Sequence, residues 1–203
     1  MIKAVLFDMD GVLIDARDWH YDALNMALGH FGFKISVEAH LTTFDGLPTR
    51  TKLEMLSRLY GLPVGLHSII NSLKQKYTIQ IAFQKCRPTF NHLVALSDLK
   101  ARGLSLAVCS NSIRPTVVNL MELSSLDQYL DLMLSNNDVS NPKPDPEIYL
   151  KAMEFFKLQP EECLIVEDND HGLKAAYASG ASVMKVSDPS QVTIDRINSH
   201  LEA

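Results

Sequence analysis

The chain has 203 residues, of which 46% are hydrophobic and 21% are charged, and its formal net charge is -5 at pH 7. This length allows one large domain or a core domain with a smaller insertion, while an acidic balance without a basic patch argues against nucleic-acid binding. No apolar run is long enough to span a bilayer and no signal-peptide pattern opens the sequence, so we expect a cytoplasmic protein that does not act at a membrane. A monomer is the simplest expectation, because no pattern marks an interface.

Short apolar runs separated by helical patterns predict an α/β fold. The runs are Ala4 to Phe7, Leu104 to Cys109, Leu164 to Val166 and Ser182 to Val186, and a further strand is expected around Tyr129 to Leu134. Runs that are apolar nearly throughout are typical of strands covered on both faces, and therefore of a parallel sheet. The alternation of strand and helix predicts a doubly wound parallel sheet.

Three helices are predicted between these strands. The first has Phe90, Leu93, Val94 and Leu99 on one face and a stop signal at Gly103, the second begins at Asp145-Pro146 and is expected to bury Ile148, Ala152, Phe155 and Phe156, and the third runs from His171 to Gly180. These assignments use the helical spacing of apolar residues and the preference for glycine just past a helix end.

Residues 16–83 break the alternation, because they carry helical patterns and no convincing strand. His20, Leu24, Ala27, Leu28 and Phe31 fall at helical spacing, and so do Leu53, Leu56, Leu59 and Tyr60. We therefore expect an α/β core built from residues 1–15 and 84–203, with a small helical cap domain, residues 16–83, inserted after the first strand.

Polar side chains follow three of the predicted strands. They are Asp8 and Asp10 after the first run, Ser110 and Asn111 after the second, and Glu167 and Asp168 after the run that ends at Val166. Ligands of doubly wound sheets bind outside the carboxyl ends of the strands. We therefore expect these six side chains to meet at one edge of the sheet.

Four of the six residues are acidic, and crowded carboxylates repel one another unless a cation keeps them ionised. Oxygen ligands without a cluster of histidines or cysteines favour Mg²⁺, which also binds phosphate oxygens of substrates. The alternative is that each acidic residue only caps a helix, since Asp and Asn are common at strand-to-helix turns.

The other polar groups suit an anion. Ser110 and Asn111 can donate hydrogen bonds at the mouth of a helix expected to begin near Pro115, where backbone N–H groups are free. Lys143 is flanked by two prolines, which restrict the backbone and favour a fixed direction for the ammonium group, although a loop lysine is often only solvated. The set predicts a phosphate site.

A carboxylate, Mg²⁺, a lysine and hydroxyl or amide donors are the parts needed for phosphoryl transfer. Asp8 is the predicted nucleophile, and Asp10 the predicted acid and base that protonates the leaving oxygen and then activates water. Gly11 permits the turn that would bring both carboxylates to the phosphate.

Four motifs occur in the order and spacing of a known superfamily. They are DMDGVLID at Asp8 to Asp15, SNS at Ser110 to Ser112, KPDP at Lys143 to Pro146, and VEDNDHGLKAAYASGA from Val166. Together they resemble the haloacid dehalogenase superfamily, and most nearly its β-phosphoglucomutase-like phosphatases, which have a helical cap of the C1 type. The resemblance covers nearly the whole chain.

The resemblance implies the same roles for the core residues and adds residues in the cap. It implies Asp8 as nucleophile, Asp10 as acid and base, Ser110 and Lys143 as phosphate ligands, Mg²⁺ held by Asp8, Asp10 (through its backbone carbonyl), Glu167 and Asp168, and substrate selection by His20, Asp45, Gly46 and Arg50. His20 can instead be a core histidine, and Arg50 a solvated charge in a first helical turn.

A phosphatase acting on a small organic phosphate, with sugar or polyol phosphates first, is the leading hypothesis, and a sugar phosphomutase is the alternative. Mutases of this group carry basic cap residues for a second phosphate, whereas this chain has Asp45 and Thr49, with Arg50 displaced by one position; this departure weakens the mutase reading. A dehalogenase would not need the acidic cluster. A phosphoaspartate receiver domain is a further alternative, but it lacks a helical insertion. An inactive scaffold would not need every catalytic residue type.

Overall fold

The computed structural model describes residues 1–44 and 47–201. The chain divides into two compact units. One comprises Met1–Asp15 together with Cys86–Ala203, and the other is Ala16–Lys85.

The first unit is built on a five-stranded parallel sheet. Its strands are β1 (Ala4–Phe7), β2 (Ser105–Cys109), β3 (Leu132–Leu134), β4 (Cys163–Glu167) and β5 (Ser182–Lys185), in the order β3-β2-β1-β4-β5. The strand order reverses beside β1, so the predicted doubly wound α/β fold is confirmed. β1 and β4 are buried along their whole length, whereas Ser182 and Lys185 are exposed because β5 lies at the edge of the sheet.

The secondary structure of the second unit, in its described residues, consists of helices joined by loops. Its helices are α1 (Arg17–Gly29), α2 (Val37–Thr42), α3 (Thr49–Tyr60) and α4 (His67–Lys85). They enclose a core of their own, which includes Leu24, Leu28, Phe44, Leu53 and Ile70. Leu59 and Tyr60, predicted to lie on the apolar face of α3, are instead mostly exposed, and the buried residues of α3 are Leu53 and Leu56.

The remaining helices belong to the first unit. They are α5 (Phe90–Ala101), α6 (Arg114–Leu123), α7 (Glu147–Phe156), α8 (Asp170–Ala178) and α9 (Ile194–Leu201). Within the described residues, no helix combines the length and the apolar character that crossing a membrane requires.

Two predicted helix faces were partly wrong. In α5, Phe90 is 77% exposed and Val94 is also exposed, while His92, Ala95, Leu96 and Leu99 are buried. In α7, Phe155 is 58% exposed, and the buried residues are Ile148, Tyr149, Ala152 and Met153. Both helices carry apolar residues on more than one face, so spacing alone does not identify the face that the sheet covers.

Candidate active site

The carboxyl ends of β1, β2 and β4 bring the predicted core residues together. Phe7 of β1 pairs with Val108 of β2 on one side and Val166 of β4 on the other. The next residue, Asp8, donates its backbone N–H to the Val166 carbonyl at 2.9 Å. Residues that follow these three strands therefore start from the same edge of the sheet, as doubly wound topology requires.

Lys143 lies between two carboxylates at this edge. Its Nζ is 2.6 Å from Asp8 Oδ1 and 2.6 Å from Glu167 Oε1. All three side chains are buried. Such short N–H···O contacts between charged groups are among the stronger hydrogen bonds in proteins.

The ionisation of this group follows from burial and crowding. Burial and the neighbouring Glu167 and Asp168 carboxylates raise the pKa of Asp8, an effect that the Lys143 ammonium partly offsets. Burial alone would lower the pKa of Lys143, but Asp8 and Glu167 outweigh it and hold that pKa above its ordinary value. The two carboxylates therefore favour the charged form of Lys143 at this position.

Glu167 is held from several sides. Its Oε1 accepts from Lys143 and also from the Tyr149 hydroxyl at 2.7 Å, and its Oε2 accepts from the Asp168 backbone N–H at 3.0 Å. Gly172 in α8 leaves room for this carboxylate, because a Cβ added there would lie 1.8 Å from Oε1. The carboxylate is fully buried, and these three hydrogen bonds hold it in place.

Asp8, Glu167 and Asp168 form an acidic cluster in which one oxygen of each lies within 4.8 Å of the others. Ligand oxygens lie about 2.0–2.1 Å from a bound Mg²⁺, so two of them are at most about 4 Å apart, and small side-chain movements would suffice to bind it. Gly11, at φ +91°, lets the backbone pass Asp168, since a Cβ there would lie 2.1 Å from Asp168 Oδ2. The donor set is therefore suited to Mg²⁺.

Asp10 is placed by a tight turn after β1. Leu13 N–H donates to the Met9 carbonyl, and Gly11 N–H donates to the Ile14 carbonyl. The carboxylate of Asp10 accepts from the Ser112 hydroxyl at 3.0 Å and is not among the three that cluster in the described residues. The Ser112 hydroxyl thus helps to hold the Asp10 carboxylate, whereas Asp8 and Glu167 contact Lys143.

Ser110 and Asn111 follow β2, as predicted. Ser110 is buried, and its hydroxyl accepts from the Ser112 backbone N–H at 3.0 Å. The amide of Asn111 bonds the backbone of Lys143 in both directions, at 3.0 and 3.1 Å. In this arrangement the Asn111 side chain holds the lysine loop, so a contact from Asn111 to phosphate stays a prediction.

The predicted cap residues differ in their surroundings. The Nδ1 atom of His20 lies 3.2 Å from Lys74 Nζ, so this histidine has a polar partner and is not only an apolar core residue. Arg50 is 90% exposed at its side chain and pairs with Glu54 at 3.0 Å. Asp45 and Gly46 lie outside the described residues.

Sequence reasoning missed Tyr149 and Lys74 as neighbours of candidate site residues, whereas Ser112 stands in the SNS motif that the sequence had already marked. Tyr149 lies six residues after Lys143, so nearness to the KPDP motif was the signal available for it. Lys74 is 54 residues from His20 and carried no signal at all.

The structure is thus a doubly wound α/β core with a buried carboxylate–lysine group at the carboxyl edge of its sheet. The family model of haloacid dehalogenase-like hydrolases matches residues 5–186. The chain belongs to this family, and the resemblance inferred from the motifs is confirmed.

Named relatives and solved structures are similar along most of the chain. A phosphorylated carbohydrates phosphatase of Thermotoga maritima is 28% identical over 180 residues, covering 88% of this chain and 82% of that protein. A phosphoglycolate phosphatase of Aquifex aeolicus is 27% identical, with the same coverage of both. The crystal structure of β-phosphoglucomutase from Clostridium difficile superposes with a TM-score of 0.84 at 20% identity, covering 100% of this chain and 98% of that one, which supports the fold.

Proposed function

We propose that this hydrolase is a magnesium-dependent phosphatase that cleaves a small organic phosphate monoester through an aspartyl-phosphate on Asp8. The single observation that carries the proposal is the Lys143 ammonium, held 2.6 Å from Asp8 Oδ1 in a buried setting. A fixed cation beside a carboxylate at the carboxyl edge of the sheet is suited to binding and transferring a phosphoryl group. Sugar or polyol phosphates come first, because a similar protein is named a phosphorylated carbohydrates phosphatase.

In the proposed reaction, Asp8 attacks phosphorus and the bond from phosphorus to the leaving oxygen breaks. Asp10 protonates that oxygen, and its carboxylate then removes a proton from the water that attacks the aspartyl-phosphate. Inorganic phosphate leaves and Asp8 is regenerated. The hydrogen bond from Ser112 would keep Asp10 in place between the two half-reactions.

Lys143 and Ser110 would bind the transferring phosphoryl group. Lys143 offers an ammonium group already held in place by two carboxylates, so it does not have to reorganise as negative charge develops on the oxygens. Asp8, Glu167 and Asp168, which form the acidic cluster, and the Asp10 carbonyl, as the resemblance implies, would hold Mg²⁺. When bound, the cation would neutralise the crowded carboxylates and stabilise charge on the phosphoryl oxygens.

The test is phosphate release from a panel of sugar, polyol, amino-alcohol and nucleotide phosphates. Asp8→Asn should lower turnover by on the order of 10³-fold or more, because the amide is nearly isosteric but a poor nucleophile. Asp195→Asn, an exposed site in α9, is the matched control and should keep full activity. Wild-type activity in Asp8→Asn would refute the mechanism.

Cation dependence is tested on the same reactions. Activity should be lost with a chelator and return with added Mg²⁺; recovery with Zn²⁺ alone would contradict the oxygen-ligand assignment. The reactions are also examined for isomerised sugar phosphates, since their accumulation without free phosphate would support a mutase in place of a phosphatase.

We propose further that the helical unit, residues 16–83 by the sequence boundaries, selects the leaving group through His20, Asp45, Gly46 and Arg50. His20→Ala should then change the ranking of substrates in the panel, while His200→Ala, in α9, should leave that ranking unchanged. An unchanged ranking in the His20 variant would remove His20 from the proposed set.

A further inference from the structure

Tyr149 is a fully buried tyrosine whose hydroxyl forms a hydrogen bond to a candidate site residue. It lies in α7, packed in the core beneath the sheet. Its hydroxyl donates to Glu167 Oε1 at 2.7 Å. A phenylalanine would bury the same ring without having to satisfy a polar group, so packing does not account for the hydroxyl.

The oxygen that accepts from Tyr149 also accepts from Lys143. The two donors lie 2.7 and 2.6 Å from Glu167 Oε1. Lys143 Nζ also lies 4.8 Å from the centroid of the Tyr149 ring, within the range of a cation–π contact. Tyr149 therefore acts on Lys143 twice, through the shared oxygen and through the face of its ring.

The second carboxylate of Lys143 is Asp8, at 2.6 Å. The ammonium is shared between Asp8 and Glu167, and the Tyr149 hydroxyl takes up part of the accepting capacity of Glu167. Without that hydroxyl, Glu167 would be a stronger acceptor for Lys143 alone and would draw the ammonium away from Asp8.

We infer that Tyr149 is a positioning residue, which keeps the Lys143 ammonium on Asp8 by holding Glu167. The inference rests on the proposed function for its kinetic consequence, but the position of Lys143 is a property of the fold. Tyr149 touches no reacting atom and acts through Glu167 and Lys143.

The test is Tyr149→Phe, which keeps the ring and removes one oxygen, with Tyr129→Phe as a control in the same unit. In a crystal structure of Tyr149→Phe we expect Lys143 Nζ to move beyond hydrogen-bond distance of Asp8 Oδ1, more than about 3.5 Å. An ammonium that stays within about 3 Å of both carboxylates would overturn the inference.

The kinetic consequence separates positioning from a merely structural role. We expect Tyr149→Phe to lower kcat about tenfold, with KM and the half-activating Mg²⁺ concentration within about twofold of wild type, because one charge-assisted hydrogen bond is altered. Glu167→Gln should lower kcat as well, and the double variant should be no slower than Glu167→Gln alone, since both changes act on one path.

Either of two outcomes would show that Tyr149 has only a structural role. One is an unchanged kcat in Tyr149→Phe; the other is a kcat loss in the double variant that equals the product of the losses in Tyr149→Phe and Glu167→Gln. If Nζ moves in the crystal but wild type hydrolyses no phosphate monoester, the proposed function fails and the positioning role stands. A kcat loss that disappears on cooling, together with a lowered Tm, would also overturn the inference.

Discussion

Gly172→Ala is a substitution for which the general rule and this structure predict opposite outcomes. Replacing glycine by alanine inside a helix usually stabilises a protein by about 0.5–1 kcal/mol. In α8, however, the added Cβ would lie 1.8, 2.2 and 2.0 Å from Oε1, Oε2 and Cδ of Glu167. The buried carboxylate or the first turn of α8 must move.

The required movement is about 1.6 Å, the difference between 3.4 Å, where ordinary contact begins, and 1.8 Å. The carboxylate accepts from Lys143, Tyr149 and the Asp168 backbone at 2.6–3.0 Å, and a shift of that size breaks at least one of these bonds. One lost bond to a charged group costs about 1.5–3 kcal/mol and forced overpacking about 1–3 kcal/mol. After the gain in helix propensity, we expect a net loss of about 3 kcal/mol.

The assay is thermal unfolding together with turnover of the preferred substrate. A loss of about 3 kcal/mol corresponds to a Tm lower by about 6–12 °C for a chain of this size, and kcat should fall at least tenfold because Lys143 loses its partner. Gly29→Ala, at the end of α1, is the matched control, since an added Cβ there has no atom within 4 Å. If Gly172→Ala is as stable and active as Gly29→Ala, the role assigned to the hydrogen-bonded Glu167 carboxylate is wrong.

Three further variants test the electrostatics and the lysine loop. Burial would raise the pKa of Asp138, but hydrogen bonds from Ser135 and Arg114 outweigh it and lower that pKa. Asp138→Asn should therefore lower the free energy of unfolding by about 1 kcal/mol at pH 7, the scale of a lost cap. In denaturant titrations, the difference from wild type should shrink as the pH falls through the carboxyl range below about 3.9. Burial lowers the pKa of His92 despite its hydrogen bond to the Pro189 carbonyl, so the unfolded chain binds the proton more readily than the folded chain. Calorimetry should therefore record that wild type loses stability as the pH drops below about 6.5, and that His92→Asn loses less. Asn111→Ala removes two hydrogen bonds to the Lys143 backbone and should lower kcat about tenfold; turnover equal to wild type would make that amide dispensable for positioning.

The sequence alone was enough to predict the sheet and the edge where the site lies. Buried parallel strands must be apolar on both faces, so β1 and β4 stand out as continuous runs. The polar residues that interrupt those runs mark the strand ends, and the chain direction then requires Asp8 and Glu167 to share an edge. These inferences need only local composition and the rules of parallel topology.

The faces of α5 and α7 were decided by tertiary packing. Phe90 and Val94 have the spacing of a buried stripe, but His92, Ala95 and Leu96 form another, and the second is the one that is buried. Two stripes of similar apolarity differ little in local energy, so the contact with the rest of the core selects one.

The partners of the polar groups were also decided only by the tertiary structure. Asn111 was expected to face an anion, which stays a prediction, and the structure adds that its amide bonds the backbone of Lys143, 32 residues away. Tyr149 gave no signal beyond its nearness to Lys143 in the sequence, because the role of its hydroxyl depends on Glu167, 18 residues further along. Periodicity describes a residue's own segment, whereas a buried donor must find its acceptor on whichever segment packs against it, and that choice exists only in the folded chain.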